Sequence, residues 1–348
     1  MSGDDVASLQ RALAQRHCYD GVVDGSFGWS TRQAVVAFQR SNALPADGVA
    51  GATTLEALGL NDAAGSNPVP GGKARSLHIG LNGVDPASYA GWSGKLGGCE
   101  NDARAMLRIA QVEGYATKTL YTRDATSHAV LAAIADAATS VPPGGFFLMT
   151  YAGHGGQVPN GQGPTADSES DGRDETWALY DRMLIDDELS DAFSAFLPGV
   201  NIVLLSDSCH SGTVYRFAKS DGRRIPDHVL SNVLQQDGAR YREIQQIAGR
   251  ALVSARGLSL SGCQDNQSSQ EVNGSGVFTS RVVSTWANRS FRGSYTLFHR
   301  RIVLQMPPTQ TPQLSLFGVD AQSLAAATPF APMETDTRTA AAGMRSAA

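Results

Sequence analysis

The stretch Asn201–Gly212, NIVLLSDSCHSG, decides the reading of this chain. Ile202–Leu205 is a short apolar run of strand type that breaks off into small and polar residues. That pattern describes a buried parallel strand delivering side chains to its carboxyl end, where open α/β sheets place ligand chemistry. The side chain delivered is the Cys209 thiol, with Asp207 two positions before it. Well upstream lies a second run of the same kind, Phe146–Gly156, FFLMTYAGHGG, which ends in His154 bracketed by glycines. Two buried strands offering a cysteine and a histidine supply what a thiol nucleophile and its base require.

Working outward, Leu77 onward alternates strands and helices. Strands are expected at Leu77–Val84, Tyr115–Tyr121, Ala251–Ala255 and Pro312–Phe317. Helices are expected at Cys99–Glu113, Ser127–Ala138 (capped by Ser127), Asp187–Phe196, Val277–Asn288 and Tyr295–Gln305. Such alternation implies an α/β domain, a mostly parallel sheet with helices on both faces. Residues 157–174 read as a polar, glycine-rich stretch and Lys219–Arg250 as a solvated, Arg-containing insertion. The tail 331–348 reads as disordered.

Residues 1–60 form a unit of their own, with helical periodicity at Val6, Leu9 and Leu13, again over Thr31–Arg40, and over Ala52–Leu58. Two Asp-Gly turns separate these helices. Residues 61–76, rich in Gly, Pro and Ser, read as a linker to a domain spanning 77–330.

A length of 348 residues has room for two domains, and 42% hydrophobic with 18% charged residues is ordinary for a globular protein. A net charge of −5 lacks the basic excess that nucleic acid or an anionic membrane surface calls for. No apolar run approaches the ~18 residues of a membrane span. The acidic N-terminus lacks the layout of a secretory signal, so the expected compartment is the cytoplasm. The four cysteines are widely spaced without a CxxC pair, which suits a reducing compartment and argues against a zinc knuckle.

Cys209 departs from an inert core thiol because Asp207, Ser208, His210, Ser211 and Gly212 surround it with small and polar groups. The glycines beside His154 permit close approach of backbone and substrate. The N–H groups of Gly155 and Cys209 are the candidate oxyanion donors. His128, inside a helix, and His210, the nucleophile's immediate neighbour, are competing bases expected to be bystanders. Asp207 shares the thiol's face by strand alternation. Asp102, on its own pattern, reads as a solvated residue in the first turn of its helix.

Two family resemblances follow from these residues. The pattern LQxxL…VDGxFGxxTxxAVxxFQ…L…DGVxGxxTxxAL, from Leu9 to Leu58, resembles a three-helix peptidoglycan-binding domain. It implies either peptidoglycan binding or intramolecular docking. The segments Tyr151–Gly155 and Asp207–Gly212 resemble the catalytic pair of the metacaspases, whose prokaryotic members are called orthocaspases, within the caspase-like fold. Gly98–Ala103, Asp171–Glu175, Asp186–Leu189, Ser261–Asp265 and Thr311–Leu314 extend that resemblance.

The metacaspase resemblance implies cysteine endopeptidase activity after Arg or Lys through a His154/Cys209 dyad. Cys99, Asp102 and Asp207 match the S1 pocket, where carboxylates meet a guanidinium. It also implies calcium activation at Asp174, Asp186 and Asp187, carboxylates suited to a hard cation, although Asp186 also reads as a helix N-cap. An acidic ligand expected after the nucleophile is missing, with Arg216 near that place, and Ala152 replaces the family's serine. Lys219, Arg223, Arg224, Arg240, Arg242 and Arg250 are candidate positions for self-cleavage. No organic cofactor and a monomer are expected. The rival readings are a catalytically silent cell-wall-binding protein and a peptidoglycan-directed hydrolase.

Overall fold

The computed structural model describes residues 3–42, 52–58, 73–159, 173–208, 223–248, 251–263, 271–272 and 274–332, with single positions 44, 46, 48, 50 and 60. The chain divides into two compact units, Met1–Ser66 and Asn67–Ala348.

In the first unit, α1 (Gly3–Gln15), α2 (Trp29–Ser41) and α3 (Ala52–Ala57) bury Leu9, Leu13, Val35, Phe38 and Leu58 against one another. Two buried glutamines tie this bundle to its turns. Gln10 Nε2 donates to Tyr19, Asp24 and Thr31 oxygens, while its Oε1 accepts the N–H groups of Asp24 and Gly25. Gln39 repeats the device, donating to Thr54 Oγ1 and accepting from the Gly48 N–H. Each amide is satisfied by the turn it holds, which removes the cost of burying it.

The second unit is built on a six-stranded sheet of order β11-β8-β7-β3-β1-β2. In chain order its elements begin with β1 (Ala74–Gly80), α4 (Cys99–Val112), β2 (Ala116–Tyr121), α5 (Ser127–Ser140) and β3 (Phe146–Ala152). There follow β4 (Gly155–Pro159), β5 (Arg173–Ala178), β6 (Met183–Ile185), α6 (Asp186–Ser194) and β7 (Asn201–Asp207). The remainder comprises α7 (Asp227–Ile247), β8 (Arg256–Ser261), β9 (Glu271–Val272), β10 (Ser275–Gly276), α8 (Val277–Trp286), α9 (Tyr295–Val303), β11 (Gln313–Gly318) and α10 (Ala321–Ala325). Every pairing in the main sheet is parallel except β8 with β11.

Alternation along the central strands assigns the faces. Phe147, Met149, Tyr151 and Ile202 join the core beneath α5 and α6, while Phe146, Leu148, Val203 and Leu205 join the core beneath α4, α8 and α9. Asp207 continues the second set, two residues beyond Leu205, and so emerges on the side of α4 and α8. The small sheet β4-β5-β6 packs against α7, with Val158, Met183, Ile185, Val229, Val233 and Tyr241 in its own cluster.

Several expectations are corrected. β1 starts at Ala74, inside the expected linker, because Ser76 and His78 find buried partners: the two His78 nitrogens lie 2.9 Å from the Ser76 and Thr150 hydroxyls. The cap of α5 is Thr126, whose hydroxyl accepts from the Ala129 N–H, while Ser127 is held by Asp181. Asp186 is the first residue of α6 rather than its cap. The strand expected at 251–255 lies at Arg256–Ser261, since only there does the chain run beside β7. Residues 157–159 extend a strand instead of a loop. The supposed insertion carries a 21-residue helix, α7, whose apolar side covers the small sheet. Phe330, beside the expected tail, is fully buried against Tyr295 and Phe298. The tail itself, 333–348, lies outside the described residues. Among the described residues no helix is long and apolar enough to cross a membrane.

Candidate active site

β3 and β7 are parallel neighbours in which Ala152 pairs with Asp207. The residues that follow each strand therefore leave the same sheet edge side by side. His154 follows β3 by two positions, and Cys209, which lies outside the described residues, follows β7 by the same interval.

His154 is buried. Its Nε2 lies 3.1 Å from the Gly94 carbonyl oxygen. A carbonyl can only accept, so Nε2 carries the proton, and Nδ1 of the neutral ring is left as the acceptor. Nδ1 has no hydrogen-bond partner among the described residues. Burial pushes the imidazole down to about 4; the Gly94 carbonyl opposes this and the Arg223 cation adds to it. The ring is thus a neutral base at ordinary pH. Trp92 packs on it with ring centroids 4.7 Å apart. Gly94 sits at φ +54°, and a side chain there would crowd Val84 and Trp92, so glycine lets this carbonyl reach the ring. The His154 carbonyl is fixed in turn, accepting from the Tyr151 hydroxyl at 2.7 Å and the Ala178 N–H at 2.9 Å.

Asp102 and Asp207 meet in a buried acidic pocket. Asp102, in the first turn of α4, is 1% exposed, which corrects the solvated reading. Both its oxygens accept the Gly276 N–H at 3.0 Å. Asp207 Oδ2 accepts the Thr279 N–H at 3.0 Å and its hydroxyl at 2.7 Å, at the N-terminal turn of α8, where the dipole favours negative charge. The group between the carboxylates is the Arg223 guanidinium. It approaches Asp102 Oδ2 at 2.5 Å, Asp207 Oδ1 at 3.3 Å and Glu271 Oε2 at 3.7 Å. Burial works against the Arg223 charge, but the carboxylates outweigh it and hold the group above its usual range. Desolvation raises Asp102 to about 6 despite the opposing arginine. Gly276 has no alternative here, because a Cβ would run into the Asp207 carboxylate and the guanidinium. Cys99 is fully buried at the head of α4; burial pushes its thiol up while Arg223 pulls it down.

The Gly155 N–H, an expected oxyanion donor, points at the Arg223 carbonyl oxygen at 3.0 Å. Beneath the β7 terminus, Trp177 donates to Ser206, whose hydroxyl lies 2.8 Å from that of Ser208.

The three residues expected to hold calcium are spread over two elements. Asp174 lies buried on β5 with Oδ2 accepting from Gln245 at 2.6 Å, whereas Asp186 and Asp187 begin α6. Among the described residues no three acidic, histidine or cysteine side chains are grouped to hold a metal ion, so these do not make a ready site. Arg216 and His210 lie outside the described residues. His128 sits in the first turn of α5, which follows β2, the edge strand of the sheet. Three participants escaped the sequence reading: the Gly94 carbonyl, Glu271 and the seat of Arg223. A main-chain oxygen carries no residue signature. Glu271 comes from a two-residue strand with no periodicity, and Arg223 was one of several basic residues in a polar segment.

The description "Caspase domain" matches residues 84–319, and "Putative peptidoglycan binding domain" matches residues 2–58. Metacaspase-1 of Mycosarcoma maydis is 29% identical, the match covering 60% of this chain and 60% of that protein. Metacaspase-5 of Trypanosoma cruzi is 25% identical, over 71% of this chain and 58% of that protein. The chain thus spans about three fifths of the length of these curated relatives. The crystal structure of protein GSU0716 from Geobacter sulfurreducens superposes with a TM-score of 0.69 at 42% identity, covering 75% of this chain and 100% of that one. With the caspase-domain match reaching over most of its length, the chain belongs to the caspase-domain family, carries an N-terminal peptidoglycan-binding-type domain, and has metacaspases among its relatives.

Proposed function

We propose that the chain is a cysteine endopeptidase of metacaspase type that cleaves after Arg or Lys. The observation that carries this reading is the guanidinium seated between Asp102 and Asp207, beside His154. A buried pocket with these carboxylates favours a cationic P1 side chain and would disfavour an acidic one by several kcal/mol. His154 Nδ1 takes the proton of the Cys209 thiol as sulfur attacks the carbonyl carbon. The Gly155 and Cys209 amides receive the developing oxyanion. His154 then protonates the leaving amine, and water releases the acyl group.

Self-cleavage within 219–250 belongs to the same proposal, as do a monomeric state and a cytoplasmic location. Calcium enters as an activating ion and takes no part in the steps above. What supports it is the acidity of Asp174, Asp186 and Asp187, which would have to be drawn together on binding. The N-terminal unit is proposed to bind peptidoglycan or to dock within the chain, supported by its family match and by the exposed Val22, Phe27 and Trp29. A P1 scan of fluorogenic peptides, with and without calcium and beside cell-wall fragments, tests the proposal. Hydrolysis confined to Arg and Lys supports it, and hydrolysis of cell-wall fragments alone refutes it.

A further inference from the structure

Among the described residues, the buried core beneath α5 and α6 has only two members that carry an O–H or N–H group on the side chain: Tyr151 on β3 and Trp177 on β5. Their rings stack with centroids 4.3 Å apart and planes within 4° of parallel. Phenylalanine at 151 would fill the same space and leave no polar group to satisfy. Both polar groups instead find partners at the carboxyl edge of the sheet, and each holds a different strand terminus.

Tyr151 holds the end of β3. Its hydroxyl donates to the His154 carbonyl at 2.7 Å and also reaches that of Ala178 at 3.1 Å. The Ala178 N–H donates to the same His154 carbonyl at 2.9 Å. The chain passes closely over the phenol on its way to the histidine, since a Cβ on Gly153 would run into the Tyr151 hydroxyl. Burial holds the phenol well above its usual range, so it stays protonated and remains a donor.

Trp177 holds the end of β7. Its Nε1 donates to Ser206 Oγ at 3.1 Å, and that hydroxyl lies 2.8 Å from Ser208 Oγ. Both serines are buried. In the β4–β5 ladder Trp177 stands opposite Gly155, the residue after the histidine. Its main chain thus faces the segment of the base, while its side chain reaches the neighbouring strand terminus.

We propose that Tyr151 and Trp177 act as one positioning unit, a stacked pair that fixes the spacing between the His154 segment and the Ser206–Ser208 terminus of β7. The inference rests on the peptidase reading above and adds two residues that touch no substrate. Stacking prevents the phenol from shifting without the indole, so the main chain of the base is set from the strand beside it. A small displacement of the base spoils its alignment for proton transfer. The pocket acid at this terminus, Asp207, is held separately by the Thr279 N–H and hydroxyl. The pair therefore acts on turnover more than on binding.

The test uses the full chain with Tyr151→Phe, Trp177→Phe and the double variant. Each substitution keeps an aromatic ring in the stack and removes one polar group. Turnover of an Arg reporter peptide is measured per active thiol, titrated with a thiol-directed inhibitor. The ring nitrogens of His154 are followed by nitrogen NMR and assigned by their loss in His154→Gln. Each single variant should lower kcat about tenfold with KM little changed, and should shift the His154 signals. The double variant should be hardly slower than the slower single one, because the pair works as a unit. Unchanged kcat in Tyr151→Phe, unmoved His154 signals, or losses that multiply in the double variant overturn the inference and leave the peptidase reading standing. Wild type that turns over no peptide overturns both. Tyr151→Phe removes a single oxygen, so its kcat and its His154 signals decide the proposal even if Trp177→Phe fails to fold.

Discussion

Ala152 on β3 and Asp207 on β7 stand opposite each other in register at the carboxyl edge of the sheet. His154, which follows the first strand, and Asp207, which closes the second, are placed by the same ladder of hydrogen bonds. Small changes in either strand should therefore reach both binding and chemistry.

The pocket acids should act on binding of the P1 cation. Asp207→Asn or Asp102→Asn removes one partner of a buried charge pair, worth about 2–5 kcal/mol, or some tens- to thousands-fold. The kcat/KM ratio of an Arg peptide over its uncharged citrulline analogue should collapse. An unchanged ratio would place the P1 pocket elsewhere.

Gly94 should act on chemistry. At φ +54°, a β-branched residue is strained and pushes on Val84 and Trp92, moving the carbonyl that orients His154. Gly94→Val should lower kcat with little change in KM for Arg peptides. A change in KM alone would mean that this carbonyl does not position the base.

The acid limb of kcat/KM should report the pocket rather than the histidine. Asp102 is held at about 6 and His154 at about 4. As pH falls through 6, Asp102 takes up a proton and its charge no longer meets the P1 cation, while His154 is still neutral. Asp207, Glu271, Arg223 and Cys99 share this environment. Asp102→Asn should leave weaker activity whose acid limb moves down toward that of His154. A limb that stays near 6 in the variant contradicts the assignment.

Stability should fall with acid through His78. Burial holds its ring at about 3 against an ordinary 6.5. Below pH 6.5 the unfolded chain takes up a proton that the folded chain refuses, so stability is lost progressively from 6.5 toward 3. The loss reaches about 2 kcal/mol by pH 5. His154 acts in the same sense, whereas Asp102, raised on folding, acts in the opposite sense between about 6 and 3.8. The difference in Tm between wild type and His78→Gln isolates the first contribution. Parallel Tm profiles between pH 7 and 5 would show that His78 does not titrate as described.

Legibility in the sequence followed the range of the interactions. The runs Phe146–Ala152 and Asn201–Asp207 are buried on both faces, so apolar composition alone marked them. Asp102 defeated the local reading because its neighbours in α4 look like any acidic first turn. Its burial comes from Gly276 and Arg223, distant in the chain. Ser127 and Thr126 compete for one cap, and the tie is broken by Asp181 from another loop. α7 was hidden because its apolar positions are sparse and find their partners on β4–β6.

The central claim is tested most directly by kcat/KM for peptides differing only at P1, with wild type and Cys209→Ala in parallel. The account predicts turnover with Arg and Lys, none with Asp or an uncharged residue, and complete loss in the variant. Turnover after Asp, or full activity in Cys209→Ala, would contradict it.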